Sequence, residues 1–242
     1  MRYEILALAL TFITVLWLMH RRHRATIKQT RTRFFDACLP LFDSYRVTQD
    51  DIDFPVLAGH YRGYRVRLEP IVDHVAVRKL PSLWLLVTVH GEVPYKGIVD
   101  LLARPLNTEF FSPSAGLDTA IEIPPGWPPH ASLRTNAPEQ MPPMHLLTPH
   151  IAIFDDPKTK ELLVTPRGVR IVYQANQATR AHYLVLRQAE FKDVAVPAAL
   201  VQRLLDQAIA VHQTLADGRT EGSRQNERHD ADDRRHEPAL AV

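Results

Sequence analysis

An uncharged apolar run close to the N-terminus constrains this chain more than any other feature of its sequence. Residues 5–19 read ILALALTFITVLWLM and contain no charged side chain. At about 1.5 Å per residue a helix over this run spans roughly 22 Å, and adding Tyr3 and Glu4 gives about 17 positions, the lower end of the transmembrane range. Trp17 lies near the end of the run, where amphipathic rings prefer the headgroup level. We therefore predict a single-pass membrane anchor.

A basic block follows the apolar run directly. Residues 20–33 carry six Lys or Arg side chains and no acidic one. Since positive flanks stay in the cytoplasm, the N-terminus is expected outside the inner membrane of a bacterial cell and residues 21–242 in the cytosol. Long basic side chains can also reach anionic headgroups, so the lipid bilayer is an expected partner. The residues expected to flank the anchor are Trp17, Arg21, Arg22 and Arg24.

Two other interpretations of the N-terminus stay open. A cleaved secretory signal has an apolar run of this length, and it would make the rest of the chain an exported periplasmic domain. Against it, Arg2 is offset by Glu4, and the run ends in His-Arg-Arg-His-Arg instead of a small-x-small cleavage site. A buried helix of a soluble protein is the third interpretation, and the basic residues at its end argue against it.

The remaining sequence predicts an α+β fold, mainly an antiparallel sheet, with an N-terminal transmembrane helix and a C-terminal amphipathic helix. Proline outnumbers glycine, 19 to 9, which argues against a helical bundle. The predicted order is an anchor with its basic flank (1–24), a juxtamembrane helical segment (25–53), a first α+β half (54–123), a Pro-rich connector (124–149), a second α+β half (150–216) and a disordered tail (217–242).

Strand patterns dominate both predicted halves. Apolar and charged residues alternate strictly over 64–69, after a turn at Arg62-Gly63, which predicts a hairpin with residues 57–61. Residues 83–89 are almost continuously apolar, as in a central strand that is buried on both faces. Further strands are predicted over 75–77, 98–102, 120–123, 163–165, 168–174 and 183–189, with turns at 78–82 and 166–167.

Proline and helix signals complete the prediction. Residues 124–149 contain eight prolines, which exclude a long helix or an inner strand, so we expect an extended linker packed by Trp127. A polyproline ligand is the alternative for this segment. Asp156 before Pro157 is typical of a helix start and predicts a short helix over 157–162. Residues 197–215 carry an apolar stripe at helical spacing.

No sequence motif identifies a catalytic activity. Twelve histidines occur without an HExxH pattern, and Cys38, the single cysteine, lies in an apolar stripe typical of a buried side chain. We therefore expect neither a metal nor a cofactor. Asp155 could bind a cation, although a helix cap explains it as well. The candidate binding residues are His60, Arg65, Arg78 and Asp155.

Several short stretches carry a resemblance to a type of bacterial protein. They are Tyr61-Arg62-Gly63, Asp155-Asp156-Pro157, the Leu-Leu-Val-Thr-Pro run at 162–166 and the apolar segment 183–186. Over roughly residues 54–190 the chain resembles bacterial membrane-anchored domain families of unknown function. The resemblance implies an α+β module behind hydrophobic segments, and it supplies no catalytic residues.

The sequence favours a non-catalytic binding or scaffolding module that holds a protein partner at the cytoplasmic membrane face. Its anchor, basic flank and Pro-rich connector motivate this hypothesis. Nucleic acid is not an expected partner, because the excess positive charge lies beside the membrane segment instead of covering a folded face. The alternative is a membrane-associated hydrolase of unknown class, which would require a pocket where His, Asp or Arg side chains converge.

Overall fold

The N-terminal apolar run forms part of one long helix. The structure, a computed structural model, describes residues 2–73, 80–103, 109, 111–178, 191 and 195–233. Helix α1 covers Arg2–Thr32, and its residues 3–19 are exposed throughout. In the described part of the chain, this is the one helix long and apolar enough to cross a membrane, and an 18-residue window near the N-terminus has a mean hydropathy of 1.7.

A nine-stranded sheet forms the body of the molecule, and every pairing of its strands is antiparallel. Its order is β1-β2-β3-β4-β9-β8-β5-β7-β6. This sheet and its helices confirm the predicted α+β fold. The strands are β1 Ser44–Thr48, β2 Val56–Tyr61, β3 Tyr64–Val72, β4 Ser82–His90, β5 Val99–Leu102, β6 Thr119–Ile121, β7 Ser132–Thr135, β8 Thr159–Thr165 and β9 Gly168–Gln177.

The β2–β3 hairpin forms as the sequence predicts. Arg62 and Gly63 have φ values of 50° and 80°, and a two-residue hairpin turn of the type that matches strand twist needs positive φ at both positions. The alternation that follows places Val66 and Leu68 in the core and leaves Arg65 exposed. Register and burial here both follow from the period of two.

Helices cover one face of the sheet. A short helix, α2, covers Met144–Leu147. The C-terminal amphipathic helix, α3, covers Ala198–Asp233 and packs against β4 and β9. A 3₁₀ helix, Arg33–Leu41, lies beside it, and the Cys38 thiol is buried there, donating to the carbonyl of Val196 at 3.3 Å. A second 3₁₀ helix, Thr148–Asp155, completes this layer. The core side chains of α3 are Val201, Leu204, Leu205, Ala208, Val211 and Leu215.

The other face of the sheet is covered only in part. Trp84 and Leu86 of β4 pack there with Leu102, Phe111 and Val172 in a smaller apolar cluster. This second cluster explains the continuous apolar run over residues 83–89, because β4 is buried on both faces where the cluster lies. Toward β1, β2 and β3 the same face is open.

The prediction for the Pro-rich segment is wrong at one place. Strand β7 lies between β5 and β6 and is therefore an inner strand. The prolines of residues 124–149 occur on either side of a proline-free window at 130–137, so the backbone donors of β7 remain available for pairing. Trp127 is buried, at 5% exposure.

Three other segments differ from their predicted structure. Residues 157–162 are not a helix, because Asp156 Oδ1 accepts the backbone N–H of Lys158 in a turn and β8 begins at Thr159. The predicted helical segment 25–53 contains β1, which pairs with β2. The backbone of helix α3 continues to Asp233, into the segment 217–242 for which a disordered tail was predicted.

Some predictions fall outside the described residues. They are the strands over 75–77 and 183–189, the turn residues 78 and 79, and with them the candidate Arg78. The domain boundaries stay predictions. The sheet itself joins the two predicted halves, because β4 pairs with β9 and β5 pairs with β8.

Candidate functional site

Two of the predicted binding residues meet on the open face of the sheet. His60 of β2 lies opposite Arg65 of β3, and Arg65 lies opposite His90 of β4. Directly paired residues of antiparallel strands point to the same face, so these three side chains form one line, which we call the cationic row. His60 is exposed, and its Nδ1 lies 3.1 Å from Ser44 Oγ.

A second line of basic residues runs next to the cationic row. The register places Arg46 of β1, Arg67 of β3 and Arg170 of β9 on the same face. Arg67 Nε donates to Glu69 Oε2 at 3.0 Å, so part of its charge is neutralised. Arg170 is likewise paired with Glu161, so among the described residues of this second line only Arg46, at the edge of the sheet, forms no ion pair.

At the end of the sheet, the cationic row opens into a cleft of about 1050 Å³, which we call the distal cleft. Its charged lining contains one carboxylate, Glu92, and the cationic side chains of Arg65, Lys96 and Arg167. Within the described part of the chain these three cations form no ion pair. The cleft is thus suited to an anionic group.

The electrostatic environment of His90 reflects this excess of positive charge. Its imidazole is half-buried, and burial lowers its pKa, with a further lowering from the charges of Arg65 and Arg67. Proximity of like charges disfavours protonation, and an anion in the cleft would reverse that effect. An anion bound in the distal cleft would therefore raise the pKa of His90.

Close packing of helix α3 shapes the wall of the cleft at Gly91. A Cβ atom at this position would come within 2.4 Å of His212 Nε2, so a larger residue would require the His212 ring to move. The His212 ring is buried and packs edge-on against Tyr64 at 5.6 Å between centroids. Helix α3 thereby fixes the strand end that carries His90.

Asp155, the fourth predicted residue, lies away from the cationic row. It is exposed at the end of the second 3₁₀ helix, and its neighbour Asp156 makes the specific contacts instead. Asp156 Oδ2 accepts from Arg203 at 2.8 Å and from Tyr173 at 3.1 Å. Burial opposes ionisation of Asp156, but the hydrogen bonds from Arg203, Lys158 and Tyr173 outweigh it and lower its pKa. Among the described residues, no group of three or more His, Cys, Asp or Glu could hold a metal ion.

The sequence interpretation missed a buried polar cluster on the partly covered face. Asp100 and Glu161 have no exposed surface, and their carboxyl groups interact with each other. Arg170 donates from Nε and Nη2 to Glu161 Oε2 at 3.1 and 3.0 Å and also to the Phe111 carbonyl at 2.9 Å. Ser112 Oγ donates to Asp100 Oδ2 at 2.5 Å.

Burial controls the protonation of this pair. It raises the pKa of Asp100 to about 6 and that of Glu161 to about 8, with the Asp100 charge adding to the shift at Glu161. Because both carboxyls are sealed beneath residues 111–114, the cluster holds this segment on the sheet. Its only sequence signal is a charged residue at an otherwise apolar strand position, as at Glu161 and Arg170.

The predicted flank of the anchor belongs to the second half of the exposed helix α1. The guanidinium of Arg21 lies 5.4 Å from the centre of the Trp17 ring, and Arg22 is exposed. Arg24 forms an ion pair with Asp51 in the β1–β2 loop. Thr32 Oγ1 donates to Gln49 at 2.7 Å. The helix is thus bonded to the end of the sheet opposite the distal cleft.

Comparison with known proteins gives a distant structural similarity and no match by sequence. No family model matches the chain, and no curated protein matches it. Among solved structures, it is similar to the crystal structure of the mycobacterial trehalose monomycolate transport factor A, TtfA. The identity is 12% and the TM-score 0.42, over 76% of this chain and 92% of that chain. At this level of similarity, the geometry of the chain itself has to carry any functional conclusion.

Proposed function

We propose that this chain is a membrane-anchored, non-catalytic binding module that holds an acidic protein partner at the cytoplasmic face of the membrane. One observation carries the proposal: Arg65, Lys96 and Arg167 line an open cleft together with the half-buried His90, and none of the three forms an ion pair with another described residue. A solvent-exposed positive surface of this kind selects partners by charge and speeds their encounter.

The distal cleft and helix α1 lie at opposite ends of the sheet, which supports a role in binding partners. Helix α1 is bonded to the β1–β2 loop, at the end of the sheet where Thr48 pairs with Val56. His90 lies at the opposite end of the sheet, beside Arg65 and the turn between β2 and β3. This separation supports a cleft that a soluble partner can approach while α1 is held in the bilayer.

The side of the membrane follows from the basic residues after the apolar run. Arg21, Arg22 and Arg24 would have to cross the bilayer if the domain were exported. Added protease should therefore digest the domain in inside-out membrane vesicles and leave it intact in spheroplasts. Digestion in spheroplasts would contradict the cytoplasmic placement.

Photo-crosslinking in intact membranes tests the binding function. A photoreactive side chain at Tyr95, in the wall of the distal cleft, should join the full-length chain to a discrete partner. The double variant Arg65→Glu, Arg167→Glu should lose this adduct. Lys158→Glu, an exposed charge reversal outside the cleft, should retain it. Equal crosslinking by all three chains would overturn the proposal.

A hydrolase, the alternative function, has less support. The carboxyl groups that could share acid and base roles, Asp100 and Glu161, are fully buried beneath residues 111–114. A substrate cannot reach them while this segment is in place.

A further inference from the structure

Strand β1 forms one edge of the nine-stranded sheet, and among the strands that the structure describes it pairs with β2 alone. All five of its residues are exposed, including Tyr45 at 51% and Val47 at 37%. Native sheets usually protect such an edge with a helix, a bulge or a proline. The contacts of α1 reach Gln49, Asp51 and Ile52, beyond the end of the strand, so α1 leaves the exposed residues of β1 uncovered.

An open edge has a specific binding capacity. Its outward N–H and C=O groups can pair with an added extended segment, and main-chain hydrogen bonds then provide the affinity. Specificity comes from alternate side chains on the two faces of the added strand. The residues of β1 therefore indicate what kind of segment fits.

The two faces of β1 differ in chemistry. Tyr45 and Val47 lie on the helix-covered side of the sheet, in register with Gly59 and Leu57. Arg46 lies on the open face, next to the cationic row. A complementary segment has apolar side chains on one face and a carboxylate opposite Arg46 on the other. Just outside the strand, Asp43 and Asp50 disfavour further acids at its ends.

A second copy of this chain fits the edge poorly. Full overlap of two antiparallel β1 strands is centred on Arg46, so the two guanidinium groups would lie directly opposite each other. Like charges in this position destabilise a strand pair. An acidic partner strand avoids this repulsion, because its carboxylate is attracted to the Arg46 guanidinium.

We propose that β1 accepts an extended acidic and apolar segment of a partner protein as a tenth strand. The inference rests on the proposed function, since it describes how an acidic partner would be held. The added strand continues the sheet at its free edge, and its central carboxylate pairs with Arg46.

Fluorescence anisotropy with defined peptides tests this mode of binding. The full-length chain is placed in lipid nanodiscs and titrated with a seven-residue peptide that has Glu at its centre and valines at alternate positions. A matched peptide has Lys at the centre. A third keeps Glu and carries N-methyl groups on two backbone amides of its pairing edge.

Strand addition predicts a distinct pattern of affinities. The Glu peptide should bind about fivefold or more tightly than the Lys peptide, and Arg46→Glu should reverse this order. N-methylation should weaken binding about tenfold, because it removes backbone hydrogen bonds. Hydrogen exchange should slow at the backbone amides of β1 when the Glu peptide is bound.

Three results would contradict strand addition. Equal affinity for the N-methylated peptide, no response to Arg46→Glu, or no binding of the Glu peptide would each overturn strand addition. Binding that is lost in Arg65→Glu, Arg167→Glu but kept in Arg46→Glu would place the acid in the distal cleft. The proposed function would then survive while this inference fails, because the crosslinking experiment at Tyr95 decides it separately. A β1-dependent dimer on size-exclusion chromatography would assign the edge to a second copy.

Discussion

Arg65 and His90 lie directly opposite each other on β3 and β4, at the entrance of the distal cleft. Burial of the imidazole, together with the charges of Arg65 and Arg67, lowers the pKa of His90. The free protein therefore keeps His90 neutral at pH values where an ordinary histidine is protonated. Binding at the cleft should be linked to this proton.

An acidic ligand should bind more tightly as the pH falls through the histidine range. Its negative charge offsets Arg65 and raises the pKa of His90, so binding takes up a proton. A short polyglutamate peptide is a suitable probe, with the His90 ring titrated by NMR in its presence and absence. His90→Gln should remove most of the pH dependence, whereas His145→Gln, an exposed change elsewhere, should keep it. An unchanged slope in His90→Gln would contradict the linkage.

The buried carboxyl pair should make folding less favourable at alkaline pH. The pKa of Glu161 is raised from 4.5 to about 8 in the folded chain, so the folded state binds more protons than the unfolded state between these values. The free energy of unfolding contributed by this group is therefore largest at low pH and is lost as the pH rises toward 8. Glu161→Gln, which mimics the protonated form, should flatten this slope.

Urea unfolding between pH 5 and pH 9 measures the effect of Glu161→Gln. The variant should match the parent protein near pH 5 and be more stable at pH 9, by about 1 kcal/mol or more. Glu139→Gln, at an exposed position, serves as the control and should follow the parent profile. A parent protein whose stability does not fall toward pH 9 would refute the assignment.

A charge in the middle of the apolar run should prevent membrane insertion. Leu10→Arg places a guanidinium at the centre of the predicted span, at a cost of about 2.5–3.5 kcal/mol on insertion scales. Ala25→Arg adds the same charge to α1 beyond the run. Carbonate extraction of membranes should recover Ala25→Arg in the pellet and Leu10→Arg largely in the supernatant. Retention of both in the pellet would argue against a spanning helix.

The stability losses on substituting two hairpin glycines should distinguish a steric clash of the added Cβ atom from backbone strain alone. Gly168 begins β9 with a φ of 148°, and a Cβ atom there would lie 2.1 Å from the Val89 carbonyl oxygen. Gly63 has a φ of 80° and open space around it. Thermal unfolding should show a loss of about 1 kcal/mol for Gly63→Ala and clearly more for Gly168→Ala. Equal losses of stability in the two variants would mean that β4 shifts at Val89 without cost to accept the Cβ atom.

Sequence patterns predicted those strands and helices in which buried positions recur at a regular spacing along the chain. The alternation over residues 64–69, the apolar run over 83–89 and the stripe over 197–215 became β3, β4 and α3 because each keeps one periodic relation to the core. Strand β1 was missed, since all five of its residues are exposed and it forms through pairing with β2 alone. Strand β7 was missed because the prolines around it dominated the local signal.

The candidate site likewise combines residues that local sequence patterns place together with residues that only the tertiary structure brings together. His60 and Arg65 belong to one hairpin, so a local pattern was enough to place both on one face of the sheet. His90 and Arg167 come from distant parts of the chain, and Lys96 lies in a loop with no periodic signal. Asp100 and Glu161 are 61 positions apart and meet only because β5 pairs with β8.

The amino-acid sequence by itself determined the apolar N-terminal helix, the mainly antiparallel character of the fold and the alternation of buried and exposed residues along β3. These properties depend on composition and on short periods, which act within a few residues. The tertiary structure alone decided the strand order, the open edge at β1 and the gathering of cations in one cleft. Each of these requires strands far apart in the chain to pair, and local propensities do not encode which distant strands become neighbours.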